Sequence, residues 1–360
     1  MPPIWVRRMA EPVVKVRDLM KYFPLRRGLK EIITMKPKRF VRAVDGISFD
    51  MHIGEVFCLV GESGCGKTTT GRLITRLLEP TGGHIYYKPS REVASQISEK
   101  CFVEDGYVDL AQKLPKHVDK LLRREIQIVF QDPFGSLDPR MKVYDILKEP
   151  LIVHRIGSSE EERREIIYRA LSEVKLVPPE QFMNRYPHML SGGQRQRVAF
   201  ARAMILKPTV VVADEPVSML DVSIRAEILQ LMLDLQANRD LAYLFITHDL
   251  AVANYLCTRI AVMYLGKIVE MGPTDEVINN PQHPYTKALI AAVPEPDPRN
   301  RFKIREVPIK GEVPSAAAIP PGCRFHPRCP YAMDRCSKEE PPTLEVKPGH
   351  YVSCWLHVRK

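Results

Sequence analysis

The sequence contains no long apolar run. Although 45% of its 360 residues are hydrophobic, no stretch approaches the roughly twenty apolar residues that a helix needs to cross a bilayer. Residues 1–9 also lack the hydrophobic stretch of a secretory signal. We therefore expect the chain to stay in the cytoplasm and, from its length, to form roughly two or three domains around one large core.

The basic character of the chain comes without the features that usually accompany nucleic-acid binding. The net charge is +10, and part of it is an excess of Lys and Arg between Arg26 and Arg42. No aromatic residues of the kind that stack on single-stranded bases are interleaved with these cations, and sustained heptad repeats are absent. Such a run is typical of a solvated loop, with lipid headgroups or nucleotide phosphates as functional alternatives.

Disulfide bonds are not expected, because the eight cysteines fit a reducing compartment, where close cysteines more often bind metal. Four of them crowd the C-terminus, in a proline-rich tail with little apolar content: Cys323, Cys329, Cys336 and Cys354. A short tail of this kind commonly needs a disulfide or a bound metal to fold. Four thiolates suit an iron–sulfur cluster or zinc, and free thiols are the third alternative.

Short apolar runs alternate with helical patterns along the chain. The strand candidates are Val56–Val60, Ile126–Phe130, Val210–Asp214 and Tyr243–Thr247. Residues 160–177 have the apolar spacing of an amphipathic helix. The polar residues 90–120 predict an elaborated hairpin or loop, and the prolines from 294 onward predict a linker into a separate tail. This alternation predicts an α/β fold with a parallel central sheet.

A glycine-rich loop follows the first apolar run. It reads Gly61, Glu62, Ser63, Gly64, Cys65, Gly66, Lys67, Thr68, with Thr69 next. Backbone N–H groups of such a loop can wrap a triphosphate at a helix N-terminus. The Lys67 ammonium can contact the β- and γ-phosphates, and the Thr68 hydroxyl can bind Mg²⁺. The strand before it and the helix after it therefore predict an ATP-binding loop.

Polar residues that suit ATP hydrolysis stand at the ends of three further apolar runs. Asp214 can hold the metal's water shell, and Glu215 beside it can polarise an attacking water. Gln131 suits a residue that senses the metal and the water, while His248 can contact the γ-phosphate. A lone histidine after a strand is more often structural, but this series of motifs favours a catalytic role.

A second glycine motif lies far downstream, at the start of the helix predicted for residues 195–206. It reads Ser191, Gly192, Gly193, Gln194. The helix N-terminus can face a γ-phosphate, the glycines allow close approach, and Ser191 can donate a hydrogen bond. One copy of the chain cannot use both glycine motifs on one nucleotide, so we expect a dimer that closes on ATP.

These motifs resemble the ATPase subunits of ATP-binding-cassette transporters, and more narrowly the F-type subunit of oligopeptide/dipeptide importers. The narrower match rests on the segments 130–141, 185–188, 214–223, 262–270, 283–289 and 321–330. The resemblance implies a P-loop NTPase fold over residues 12–275, with a RecA-like core, an antiparallel β subdomain and a helical subdomain at about 132–205. Residues 276–360 would form a small extension with the four-cysteine site.

The family also implies roles that the residues alone do not establish. Tyr22 and Phe23 would stack on adenine, Asp221 would reach the partner's phosphate loop, and residues 132–147 would receive a permease. The cysteines would hold a [4Fe–4S] cluster. Expected partners are a D-type ATPase subunit, two transmembrane permeases and an extracellular solute-binding protein. Together they would place the chain at the cytoplasmic face of the membrane, and peptides, oligosaccharides or metal chelates stay open as cargo.

Departures from the family pattern are few. Met219 replaces a small residue, Asp138 replaces Asn, and residues 30–39 and 90–120 are longer than usual. None of these removes a catalytic group. The competing class is a soluble cassette ATPase that acts on nucleic acid or ribosomes, but those proteins carry tandem cassettes or long heptad insertions. We therefore expect no nucleic-acid partner.

Overall fold

The computed structural model describes residues 11–25, 39–293 and 309–358. Most of the basic segment and the predicted linker after residue 293 lie outside the described residues. In the described ranges, no helix is both long and apolar enough to span a bilayer.

The strands form two sheets. They are β1 (Val14–Pro24), β2 (Phe40–Met51), β3 (Val56–Val60), β4 (Gly82–Tyr87), β5 (Val108–Asp109), β6 (Ile126–Val129), β7 (Val210–Asp214), β8 (Ala242–Thr247), β9 (Arg259–Tyr264), β10 (Lys267–Pro273), β11 (Thr343–Lys347) and β12 (His350–Ser353). The smaller sheet is antiparallel, in the order β2-β1-β4-β5. The larger has the order β11-β12-β10-β9-β3-β8-β7-β6.

Helices pack against the larger sheet and against one another. They are α1 (Lys67–Ile74), α2 (Arg91–Ala94), α3 (Lys116–Glu125), α4 (Pro133–Ser136), α5 (Val143–Val153), α6 (Glu160–Glu173), α7 (Pro179–Met183), α8 (Gly192–Met204), α9 (Val222–Arg239), α10 (Leu250–Leu256), α11 (Thr274–Asn279) and α12 (Pro284–Ala291). Between residues 132 and 205 the regular elements are helical, with one short 3₁₀ turn at Pro187–Met189.

The centre of the larger sheet is parallel. Strand β3 pairs with β8 and β9, and β7 pairs with β6 and β8. Phe57 and Leu59 face a core shared with the antiparallel sheet, whereas Cys58 and Val60 face the core formed with the helices. Burial on both faces explains why these strands read as continuous apolar runs, and their prediction is confirmed.

The C-terminal residues join the core sheet. Strand β12 pairs antiparallel with β10, with Glu270 opposite Val352. The fully buried His350 places Nε2 2.8 Å from a carboxylate oxygen of Glu270. Our expectation of a separate tail is therefore wrong for this hairpin, because its backbone continues the hydrogen bonding of the ATPase sheet. The domain boundary after residue 275 stays a prediction.

The segment 90–120 contains the predicted hairpin pairing and unpredicted helices. Strand β5 pairs antiparallel with β4, with Tyr86 opposite Asp109. Helix α2 and the start of α3 lie in the same segment. Helix α3 buries Val118 and Leu122 on one side and exposes charged residues on the other, so its apolar signal is short.

Candidate nucleotide-binding site

A pocket of about 630 Å³ opens where the parallel strands end. It is lined by Ala43, Gly61, Glu62, Ser63, Gly64, Gly66, Lys67, Thr68, Thr69, Gln131, Glu215, His248 and Leu289. Four strands deliver these groups, because the glycine loop follows β3 and the other polar residues follow β6, β7 and β8. Cys65, within the loop, is buried and does not line the pocket.

The glycine loop is packed too tightly for side chains at two positions. Gly66 has φ 112°, and a Cβ there would lie 2.1 Å from the carbonyl oxygen of Ala43. At Gly61 a Cβ would lie 2.2 Å from the carbonyl oxygen of Met263. The buried Lys67 ammonium donates to the carbonyls of Gly61 and Glu62 at 2.7 and 3.0 Å. The loop therefore surrounds the ammonium group of Lys67, at the N-terminus of α1.

The Thr68 hydroxyl and the Asp214 carboxyl group, both expected to hold Mg²⁺, lie next to each other. Thr68 Oγ1 donates to Asp214 Oδ1 at 3.0 Å. Burial, together with the charge of Glu215, raises the pKa of the Asp214 carboxyl, although the Thr68 hydrogen bond opposes this shift. Gln131, the third predicted metal contact, instead bonds to Glu215. Hydroxyl and carboxylate oxygens are ligands that Mg²⁺ prefers, so Thr68 and Asp214 fit the ion.

Glu215 is the meeting point of the predicted catalytic residues. Its carboxylate accepts a hydrogen bond from Gln131 Nε2 at 3.1 Å and lies 3.1 Å from His248 Nδ1. The backbone of Glu215 is left-handed, with φ 45°, and its N–H donates to the Ile246 carbonyl at 2.9 Å. A non-glycine residue in this conformation is strained, and such strain concentrates at functional sites.

The second glycine motif lies outside this pocket. Ser191 caps α8 by accepting from the Gln194 N–H at 3.3 Å, and the Gln194 side chain accepts from the Ser191 N–H at 3.1 Å. A Cβ at Gly193 would lie 2.5 Å from Ile224 Cγ2, whereas Gly192 is less crowded. Asp221 is exposed and begins α9 without a side-chain hydrogen bond to that helix. The chain's own structure thus leaves both Ser191 and Asp221 facing solvent.

The predicted adenine-stacking residues do not line the pocket. Phe23 is about one-third exposed near the end of β1, and a Lys21 ammonium lies 5.3 Å from its ring. The Tyr22 hydroxyl donates to Asp45. Because Tyr22 is held in this way, only Phe23 presents a substantially exposed ring on this strand.

The four C-terminal cysteines approach one another. Cys336 and Cys354 are buried, Cys323 and Cys329 are half-buried, and the Cys323 N–H donates to the Cys336 carbonyl at 2.8 Å. Burial, helped by the neighbouring cysteines, raises the pKa of Cys323 and of Cys354 to about 11. Within residues 11–25, 39–293 and 309–358, however, no three His, Cys, Asp or Glu side chains are close enough to hold one metal ion.

Three residues at the site were not predicted from the sequence. Ala43 and Leu289 line the pocket, and the Tyr285 hydroxyl accepts the Glu62 N–H at 2.9 Å. The segment 283–289 stood out only as a mark of the family. Its contact with the glycine loop joins positions 223 residues apart, a distance over which sequence patterns carry no contact information.

The fold and the pocket define a P-loop ATPase of the ATP-binding-cassette type. The pattern of the family described as "ABC transporter" matches residues 44–218, and that of "Oligopeptide/dipeptide transporter, C-terminal region" matches residues 269–336. The chain belongs to the ATP-binding subunits of this transporter family. The resemblance and the fold predicted from the motifs are therefore confirmed.

The relatives that match nearly the whole chain include two peptide-transport proteins. The "Dipeptide transport ATP-binding protein DppF" of Escherichia coli (strain K12) is 43% identical, covering 96% of this chain and 95% of the relative. The "Oligopeptide transport ATP-binding protein AppF" of Bacillus subtilis (strain 168) is 45% identical, covering 96% and 98%.

Solved structures of cassettes share the fold. The dimeric cassette MJ0796, in a post-hydrolysis state bound to ADP and Pi, is 27% identical with a TM-score of 0.56, covering 72% of this chain and 98% of that one. The cbiO1 subunit from Clostridium perfringens is 25% identical with a TM-score of 0.58, covering 75% and 92%.

Replacing Gly66 by Ala tests the loop geometry. The added methyl would meet a backbone oxygen, so we expect ATP affinity to fall by at least about tenfold, the loss that a misplaced binding group typically causes. Fluorescent-nucleotide titration measures this. Gly54→Ala is the matched control, since Gly54 also has positive φ but a Cβ there meets nothing within 4 Å. Equal affinities of both variants would contradict the proposed constraint.

Proposed function

We propose that this chain is one of two ATPase subunits of an importer that takes up oligopeptides or dipeptides. The observation that carries the proposal is the convergence of the phosphate loop, Gln131, Glu215 and His248 on one pocket. The cargo class rests on the names of the two relatives, which transport dipeptides and oligopeptides.

The glycine loop would bind the triphosphate. The loop lies at the positive end of α1, and the Lys67 ammonium would exchange its carbonyl partners for the β- and γ-phosphates. Thr68 and Asp214 would hold Mg²⁺, which would neutralise negative charge on the phosphates. Phe23 is the better placed of the two aromatic residues to contact adenine, because its ring is more exposed.

Glu215 would act as the base that polarises the attacking water. Its carboxylate is only 15% exposed and is oriented from two sides by Gln131 and His248. A carboxylate so held can accept a proton from water while His248 donates a hydrogen bond to the γ-phosphate. Gln131 would link this carboxylate to the movable helical segment that follows β6.

The exposed second glycine motif supports a dimer. Ser191 at the start of α8 would cap the triphosphate bound by a partner, and Asp221 would approach the partner's loop. Two exposed apolar residues flank Asp221, since Met219 is 58% and Val222 is 80% exposed. Burying this patch against a second subunit would favour closure around ATP. We propose a related D-type subunit as the partner, by family analogy.

The segment 132–147 offers a surface for a permease. Phe134 is 57% exposed, and the Arg195 guanidinium lies 4.0 Å from its ring. Arg195 belongs to α8, the helix that begins with the second glycine motif. Closure of the ATPase dimer would therefore move this surface and the permease docked on it. Two permeases and an extracellular solute-binding protein would complete the importer at the cytoplasmic face of the membrane.

The alternative function, action on nucleic acid or ribosomes, has less support. It rests on the basic charge and on a cysteine set like that of an iron–sulfur protein. The two relatives described above are transport proteins by name.

We further propose that the four C-terminal cysteines hold a [4Fe–4S] cluster. Four thiols that influence one another in one small segment are the donor set that such a cluster uses. Four thiolates would also suit zinc, and the metal content of the purified protein distinguishes the two.

Glu215→Gln tests the catalytic proposal. The amide cannot accept the proton, so we expect ATP turnover to fall by about 10²–10⁴-fold, the usual contribution of a positioned base. Nucleotide binding should persist. Phosphate release and nucleotide titration measure the two properties separately, with the exposed Glu276→Gln as the control. Normal turnover by Glu215→Gln would refute the assignment.

Isolation of the chain from its native membranes tests the partners. We expect mass spectrometry to find two permeases, a second cassette subunit and a solute-binding protein, whose retained ligand identifies the cargo. Recovery in the soluble fraction with ribosomes or DNA would overturn the importer and leave only the ATPase.

Cys329→Ser tests the cluster. We expect the purified protein to be brown, to contain iron and sulfide, and to lose both with this substitution, because one of four ligands is removed. Cys101→Ser is the matched control, since Cys101 is a partly exposed cysteine outside the group. Stoichiometric zinc without iron would rule the cluster out.

A further inference from the structure

Two arginines between the first two C-terminal cysteines reach into the ATPase core. Arg324 and Arg328 lie in the segment Cys323–Cys329, and each arginine is only 5% exposed. Buried arginines require anionic or carbonyl partners, because an unpaired guanidinium is costly to remove from water. The residues paired with the two arginines therefore show which part of the ATPase core this segment contacts.

Arg328 is paired with the glycine loop itself. Its Nη1 and Nη2 donate to the two carboxylate oxygens of Glu62 at 2.9 and 3.1 Å. This two-point contact fixes both the position and the orientation of the carboxylate. Glu62 lines the nucleotide pocket, so its negative charge stands beside the place that a triphosphate would occupy. Without a cation, the Glu62 carboxylate would repel the phosphates.

The aromatic packing around Arg328 holds it in place. Phe325 is 1% exposed and lies edge-on to Tyr264, with ring centroids 5.3 Å apart. It also contacts Tyr285 at 5.4 Å, and the Tyr285 hydroxyl accepts the Glu62 N–H. The C-terminal part of the chain thus holds Glu62 by both its backbone and its side chain.

Arg324 supports a neighbouring part of the site in the same way. It donates to the Leu265 carbonyl and to Asp45. Asp45 also accepts the Tyr22 hydroxyl. Burial alone would raise the pKa of Asp45, but the hydrogen bonds from Tyr22 and Arg324 outweigh it and keep the pKa below its usual value. Arg324 therefore links the Leu265 carbonyl to Asp45 of β2, which in turn holds Tyr22 of β1.

We propose that Arg328 is a positioning residue for ATP binding. It neutralises Glu62 and fixes the orientation of its carboxylate, so that the glycine loop can accept the nucleotide. The inference rests on the proposed function in one respect, namely that ATP is the ligand of this loop.

A double-mutant cycle between Arg328 and Glu62 tests the inference on the full-length chain. Arg328→Met keeps the packing of the side-chain stem but leaves Glu62 charged and unpaired. We expect the Kd for a fluorescent ATP analogue, and the KM for ATP, to rise about tenfold or more, because Arg328→Met leaves a partly buried charge unpaired beside the phosphates. The kcat at saturating ATP should change less than about twofold, because Arg328 does not touch the reacting groups.

Glu62→Gln distinguishes an effect of charge on ATP binding from a purely structural role of Arg328. In the Arg328→Met background it removes the repelling charge, so we expect most of the lost ATP affinity to return. Arg335→Ala is the matched control, since Arg335 lies in the same C-terminal region, pairs with the exposed Glu339 at 2.9 Å and stacks on Trp355. It should lower the melting temperature without changing the Kd.

Two results would overturn the inference. One is an unchanged Kd in Arg328→Met, and the other is a raised Kd that Glu62→Gln fails to lower. Should Arg328→Met not fold, Arg328→Lys, alone and with Glu62→Gln, carries the same comparison with a smaller expected shift. Absence of ATP binding by the unmodified chain would instead overturn the proposed function, so the two failures are distinguishable.

Discussion

The parallel pairing of β3 with its neighbours is the constraint on which the site depends. The register places Val60 opposite Thr247, and Asp214 lies opposite Ile246 in the adjacent pair. These contacts bring the loop after β3, the carboxylates at the end of β7 and the histidine after β8 to one edge. A slip of one residue would turn each strand's side chains to the opposite face and separate these groups. Burial on both faces of the sheet makes such a slip costly.

The charges at this edge are unbalanced in a way that favours a ligand. Asp214 and Glu215 lie side by side, and burial raises the pKa of Asp214. The Lys67 ammonium donates its hydrogen bonds to loop carbonyls. A magnesium–nucleotide complex brings a cation for the carboxylates and anions for Lys67 and the loop N–H groups, so it resolves both imbalances together.

Sequence reasoning identified the groups that lie in short contiguous motifs. The glycine loop, Glu215 and His248 each follow an apolar run, and the parallel sheet brings them into one pocket as expected. It failed where contacts join distant segments. The hairpin β11–β12 extends the core sheet, although its short alternating strands and the prolines before it read as a separate tail. Phe23, with Tyr22 beside it, stays a prediction for the adenine, and the bond from the Tyr22 hydroxyl to Asp45 is a contact that no local pattern indicates.

The C-terminal region is better understood as part of the nucleotide site than as an appendage. Arg328 and Glu62 are 266 positions apart in the chain, yet they make a two-point contact inside the ATPase core. Cys323 and Cys329 bracket both buried arginines, so whatever holds these cysteines also sets the path of the backbone that delivers the guanidinium groups. A rigid link at the cysteines would lower the entropy lost when Arg324 and Arg328 are ordered. One seven-residue segment therefore connects two of the cysteines to the phosphate-binding loop, through the pairing of Arg328 with Glu62.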